Sequence, residues 1–104
     1  SFEQGDGKTP LLRLRSLDEV VGARLLGKAE FLSVGGSVKD RAAAFMVLGA
    51  EQDGRLPRGG GGVVVEATGG NTGVSLVLAA HARGHKTVMA VPSGISKGKI
   101  DLMR

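Results

Sequence analysis

The sequence predicts an α/β fold, with a mostly parallel sheet and helices flanking it. Three observations carry this reading. Apolar β-branched runs such as Val63-Val64-Val65 have the character of buried parallel strands. Stretches of helical spacing alternate with them, the longest running from Ser37 to about Asp53. Glycine and proline turns punctuate the boundaries. The resulting strand-helix alternation argues for a sheet of at most four strands with an open end.

Residues 1–8 are polar and glycine-rich and read as a flexible arm, followed by a single partial domain over 9–104. Gly5-Asp6-Gly7-Lys8-Thr9 superficially resembles a phosphate loop, but Phe2 stands where the motif needs its first glycine, and Pro10 blocks the helix. Leu11 to Leu14 reads as a short strand, and Ser16 to Gly22 as a short helix with acids at Asp18 and Glu19 near its start. Arg24 to Phe31 reads as a second strand. Ser37-Val38-Lys39-Asp40 fits a capping box. The helix it opens should carry Val38, Ala42, Phe45, Met46 and Gly49 on one face and end at Gly54. The four glycines of Gly59 to Gly62 suggest a slack turn. A strand over Val63–Ala67, a loop over Thr68–Gly73, a helix over Val74–Arg83, a strand over Lys86–Val91 and a helix opened by Ser96 complete the chain. The start at Ser1 and the uncapped end at Arg104 read as a piece of something longer.

Composition narrows the function. The 104 residues include no cysteine, which removes disulfides, thiolate nucleophiles and thiolate metal sites. The formal charge of +4 is scattered, and there is no Tyr or Trp to stack on bases, so nucleic acid is not an expected partner. The longest strongly apolar run, Val74 to Ala80, is far too short to span a bilayer, and no basic-then-apolar leader opens the chain. His81 and His85 stand four apart, but Gly84 interrupts the helical phase and no third ligand is evident, so no metal site is expected.

In open α/β sheets, ligands bind beyond the carboxyl ends of the strands, and two loops of this chain fall at that edge. Thr68-Gly69-Gly70-Asn71-Thr72-Gly73 precedes a helix, so its outward amides can meet a carboxylate or phosphate. The same residues also suit a plain strand-helix turn capped by Thr68 or Asn71. Gly35-Gly36-Ser37-Val38-Lys39 sets an amine in the first turn of the other helix. The helix dipole and desolvation would both favour a neutral amine, the form that attacks a carbonyl. Read alone, Lys39 is a solvated lysine on a helix, as are Lys8, Lys28, Lys86, Lys97 and Lys99. Glu66 suits either a base or a structural acceptor near the loop; Asp40 should complete the capping box, and Arg41 should pair with a nearby acid.

Four blocks, in order and at fitting distances, make the pattern specific: Thr9-Pro10-Leu11-Leu12-Arg13-Leu14, Gly27-Lys28-Ala29-Glu30-Phe31, Gly35-Gly36-Ser37-Val38-Lys39-Asp40-Arg41, and Glu66 to Gly73 followed by Ala82 to Thr87 and Pro92. Together they resemble the N-terminal portion of the cysteine synthase and cystathionine β-synthase family, pyridoxal-phosphate enzymes of the tryptophan-synthase-β-like fold. The resemblance implies that Lys39 carries the cofactor covalently and moves the substrate α-proton. It implies that Asn71 hydrogen-bonds the pyridoxal 3-oxygen, and that Thr68, Gly69, Asn71 and Thr72 receive the substrate carboxylate. The implied reaction is β-replacement on O-acetylserine by sulfide, in a cytosolic homodimer. A serine/threonine dehydratase, a cystathionine β-synthase or a non-catalytic truncated paralogue are the alternatives.

The chain departs from the family pattern at several points. Ser33-Val34 replaces the usual Asn-Pro, Gly69 replaces Ser or Ala, and Gly98 stands where an acid is usual. A glycine inside a helix costs about 1 kcal/mol relative to Ala. The family's cofactor-phosphate loop and the Ser or Thr near the pyridine nitrogen belong to a second part that does not follow here. The 104 residues alone are therefore expected to bind pyridoxal phosphate poorly and not to turn over.

Overall fold

The computed structural model describes residues 8–104; of the expected arm over 1–8, all but Lys8 lies outside the described residues, as do Gly5, Asp6 and Gly7 of the phosphate-loop-like stretch. The order is β1 (Leu11–Arg13), α1 (Arg15–Val21), β2 (Leu26–Lys28), a 3₁₀ turn (Glu30–Leu32), α2 (Lys39–Gln52), β3 (Val63–Ala67), α3 (Asn71–Ala82), β4 (Lys86–Ala90) and α4 (Lys97–Met103). Strands and helices alternate as expected, and β3 and β4 are parallel, with Val63 opposite Lys86 and Ala67 opposite Ala90.

The strands do not form one sheet. β1 and β2 pair antiparallel, Leu11 opposite Lys28, in a separate two-stranded sheet. The cause is local. The amide of Leu14 bonds the carbonyl of Leu25 at 3.0 Å, which closes the connection through α1 into a hairpin-like turn and continues the antiparallel pairing of Arg13 with Leu26. The expected second strand is also shorter than Arg24–Phe31, because the chain tightens into 3₁₀ geometry at Glu30. α1 begins at Arg15 without a side-chain cap, so Ser16 is not the cap expected of it. Asp18 instead takes the amide of Leu25 at 2.8 Å and the guanidinium of Arg13 at 2.7 Å.

The core lies between α2 and α3 and over one face of β3–β4. Ala43, Val47, Leu56, Leu76, Ala79 and Ala80 form it, with Val64 and Met89 packed against it. The buried face of α2 is thus Ala43, Ala44, Val47 and Glu51, and not the expected face with Phe45 and Met46, which are 72% and 52% exposed. Small side chains on both helices allow a close approach that larger ones would prevent. β3 is likewise covered on one face only, since Val63 and Val65 remain exposed.

Two polar contacts align the helices. Near their starts, the Ser75 hydroxyl donates to the Asp40 carboxylate at 2.6 Å. At their ends, Glu51 accepts from the Arg83 guanidinium at 2.6 Å and from His85 Nε2 at 2.7 Å. Start meets start and end meets end, so α2 and α3 run side by side in the same direction. Their N-termini therefore share one end of the fold.

The glycine turn is tighter than its composition suggests. The Gly62 amide donates to His85 Nδ1 at 3.1 Å, leaving Nε2 as the donor to Glu51. The Gly61 amide donates to the Gly84 carbonyl at 2.9 Å. Gly60 has φ +104° and faces that backbone so closely that a Cβ would stand 3.0 Å from the Gly84 oxygen. The turn is a clip onto the end of α3 and not a slack connection.

Hydrogen bonds from Arg83 and then His85 hold the Glu51 carboxyl down from 4.5 to about 2. A carboxyl depressed by folding stabilises the fold above its unfolded value, and that contribution is lost as pH falls from about 4.5 toward about 2. Glu30, lowered to about 2 by Arg41 and then Thr9, acts in the same window. Thermal unfolding followed from about pH 6 to about pH 3 should show a falling midpoint. Glu51→Gln should flatten that fall; an unchanged slope in the variant would exclude the clamp as its source.

Candidate active site

The chain reaches α2 through a turn in which the Gly36 amide bonds the Ser33 carbonyl at 2.9 Å. The Ser33 hydroxyl bonds the carbonyls of Glu30 and Ser37. The helix starts with i to i+3 bonds, from the Asp40 amide to Ser37 and from the Arg41 amide to Val38. This tight winding displaces the expected capping box. Val38 occupies the cap position without a side-chain bond, and the Ser37 hydroxyl accepts from the Lys39 amide at 3.3 Å. The Asp40 carboxylate passes beyond Ser37 and takes the Gly35 amide at 2.7 Å.

Arg41 pairs with an acid as expected. Its guanidinium meets Glu30 at 2.7 Å and 3.0 Å, and Thr9 donates to the same carboxylate at 2.9 Å. The start of α2 is thereby anchored to the 3₁₀ turn. Lys39 lies exposed in the first turn of α2, and its ammonium has no hydrogen-bond partner among the described residues. The desolvation expected of it is not supplied by these residues.

The second loop stands at the same end of the fold. α3 starts at Asn71, three residues before the expected Val74, so Asn71 and Thr72 occupy its first turn. Gly70, and neither Thr68 nor Asn71, occupies the cap position of α3, while the Thr68 hydroxyl accepts from the Gly70 amide at 3.4 Å and the Gly73 amide at 3.2 Å from two residues further back. Gly69 follows it on the exposed side of the loop. The amides of Asn71 and Thr72 are the first two of the helix and have no intrahelical acceptor. Two N–H donors with the helix dipole behind them suit a carboxylate or phosphate oxygen.

Lys99 is a residue that sequence reasoning passed over. Its ammonium stands 3.4 Å from where a Cβ on Gly70 would lie, so a cation borders the loop that opens α3. Ser96 positions it by capping α4, accepting the Lys99 amide at 3.3 Å. The Ser96 cap was legible in the sequence; the approach of α4 to the loop was not. Glu66 is exposed and takes the adjacent Ala67 amide at 3.3 Å. His85 is committed to Glu51 and Gly62, and His81 is exposed. Among the described residues there is no group of three metal-binding side chains.

An amine at the start of α2 and the outward amides at the start of α3 stand at one end of an α/β fold. The chain matches the family model described as pyridoxal-phosphate dependent enzyme (PALP) over residues 2–104, and it belongs to that family. It is 52% identical over 98 residues to cysteine synthase 1 of Neurospora crassa, covering 94% of this chain and 26% of that protein. It is 51% identical over 98 residues to cysteine synthase 1 of Emericella nidulans, with the same coverage. The crystal structure of an O-ureido-L-serine synthase superposes with a TM-score of 0.88 at 38% identity, covering all of this chain and 32% of that one. The chain thus spans about a quarter of the length of these curated relatives. The family read from the four sequence blocks is the one these matches show.

The described residues fit the aldehyde-bearing side of pyridoxal phosphate. They offer an unpaired amine at Lys39 and, at the adjoining helix start, the unpaired amides of Asn71 and Thr72. No helix among the described residues is long and apolar enough to cross a membrane.

Proposed function

We propose that these residues form the N-terminal portion of a pyridoxal-phosphate-dependent cysteine synthase-like enzyme. In this reading the complete polypeptide replaces the β-acetoxy group of O-acetylserine with sulfide, releasing cysteine and acetate. The observation that carries the proposal is the parallel alignment of α2 and α3, set by Asp40–Ser75 at one end and by Glu51 with Arg83 and His85 at the other. It brings Lys39 and the Thr68–Thr72 loop to the same edge. The 52% identity to a cysteine synthase supports this choice of reaction.

The pyridine ring of the cofactor, when bound, supplies the electron sink that makes the substrate α-proton acidic. The side chains have separate tasks. Lys39 would hold the cofactor through its amine and would serve at Nζ as the carrier of the substrate α-proton. The Asn71 side-chain amide would donate to the ring 3-oxygen. The Asn71 and Thr72 amides, with Gly69 leaving room beside them, receive the substrate carboxylate, and Thr68 holds the loop in shape. A cytosolic homodimer is the setting that this reading assigns to the complete enzyme.

The test supplies O-acetylserine with sulfide, serine with homocysteine, and threonine alone to the complete polypeptide. Cysteine formation from the first pair should dominate. Preferential cystathionine or 2-oxobutyrate formation would replace this reading with a cystathionine synthase or a dehydratase. The isolated 104-residue chain should form no cysteine; steady turnover by it would contradict the assignment as a portion of the catalytic unit.

A further inference from the structure

We infer that Asp40 is a positioning residue that sets the Lys39 turn against the anion loop by bridging the two helix starts with one carboxylate. The inference rests on the proposed role of Lys39 as cofactor carrier and goes beyond it. One oxygen, Oδ2, takes the Gly35 amide at 2.7 Å. The other, Oδ1, takes the Ser75 hydroxyl at 2.6 Å. Ser75 is fully buried within α3, one turn beyond Asn71, and therefore moves with the helix that presents the loop. Lys39 is the covalent neighbour of Asp40. The carboxylate thus spans two pieces of chain that no strand pairing connects.

The fit is close on the side of the turn as well. A Cβ on Gly35 would collide with the Asp40 carboxylate, so the glycine is the space that the carboxylate fills. Arg41, the next residue, points its guanidinium to Glu30 and Thr9, toward the N-terminal sheet. Asp40 and Arg41 thus tie the start of α2 to different parts of the chain, the one to Gly35 and Ser75 and the other to Glu30 and Thr9. Lys39 precedes both in the same turn, and its amine has no hydrogen bond among the described residues. A hydrogen bond to a charged acceptor is stronger and shorter than a neutral one, which suits a carboxylate to this task. Because reactivity depends steeply on the placement of the reacting group, a shift of about 1 Å in the turn can cost about a hundredfold in rate.

The experiment mixes the complete polypeptide, freed of cofactor, with pyridoxal 5′-phosphate. It follows the growth of the visible absorbance of the lysine-linked cofactor per folded molecule. Asp40→Ala should slow that growth by about tenfold or more, and Ser75→Ala should slow it in the same direction by a smaller factor. Asp40→Asn should largely restore the rate. Its amide can keep both contacts, with the oxygen accepting from Gly35 and the NH₂ donating to Ser75. The double variant Asp40→Ala/Ser75→Ala should be no slower than Asp40→Ala, because the two changes break one bridge. Thermal midpoints of the cofactor-free variants separate loss of fold from loss of placement, and if Asp40→Ala does not fold, Ser75→Ala against Asp40→Asn decides. Wild-type rates in the folded alanine variants, whatever their midpoints, would overturn the inference. Lys39→Ala is the control for the reading beneath it: absorbance that survives there removes Lys39 as carrier, whereas its loss alongside wild-type rates in the Asp40 and Ser75 variants overturns the positioning role alone.

Discussion

Lys39→Ala in the complete polypeptide is expected to abolish the visible absorbance of the bound cofactor and to lower kcat by at least about a thousandfold. The substitution removes the amine in the first turn of α2 while disturbing little else. Lys39 is exposed and its side chain has no hydrogen bond or ion pair among the described residues, and alanine is the best helix former. The thermal midpoint of the cofactor-free protein should therefore stay close to that of the wild type. A solvated lysine of no chemical importance would behave oppositely in the assay, with full absorbance and full activity retained. Lys99→Ala makes a fair comparison, because Lys99 also stands at this edge, beside Gly70. Its loss should weaken substrate binding and raise KM without removing the cofactor absorbance.

Leu76→Ala is expected to have the largest effect on stability. Leu76 is 2% exposed and lies in a core whose other members are Ala43, Val47, Leu56, Ala79 and Ala80. Leucine-to-alanine changes at such positions cost about 2–5 kcal/mol, the upper end applying where the surroundings cannot collapse into the gap. Collapse is restricted here, because α2 and α3 are held at both ends by the Asp40–Ser75 and Glu51–Arg83–His85 contacts. A small domain has only about 5–15 kcal/mol of net stability. The variant should thus unfold at a much lower denaturant concentration, as chemical denaturation followed by circular dichroism would register. A change within about 0.5 kcal/mol would mean that the helix pair is not the structural centre of the chain.

The legible parts of the fold were those written in local pattern. The β-branched run Val63–Val65, the cap at Ser96 and the spacing from Lys39 to Gln52 each specify their element without help from the rest of the chain. What remained hidden depended on contacts between elements. Phe45 and Met46 look like core residues by hydropathy, but α2 meets α3 through Ala43 and Val47, because close helix contact favours small side chains. Gly59 to Gly62 look slack, but their neighbour is the end of α3, twenty-odd residues away in sequence. At the site, the types and order of Lys39 and the Thr68–Thr72 loop were visible, and the family resemblance named their tasks. Asp40 was legible only as a cap. Its bond to Ser75 crosses 35 residues, and no local spacing rule reaches that far.

The most direct measurement of the central claim is chemical capture of the cofactor. The complete polypeptide, loaded with pyridoxal 5′-phosphate, is reduced with borohydride and digested, and the modified peptide is located by mass spectrometry. The expected result is a single pyridoxyl group on Lys39, within the segment that follows Arg24 and contains Gly35 to Arg41. Modification concentrated on another lysine, such as Lys28 or Lys99, or spread evenly over several, would contradict it.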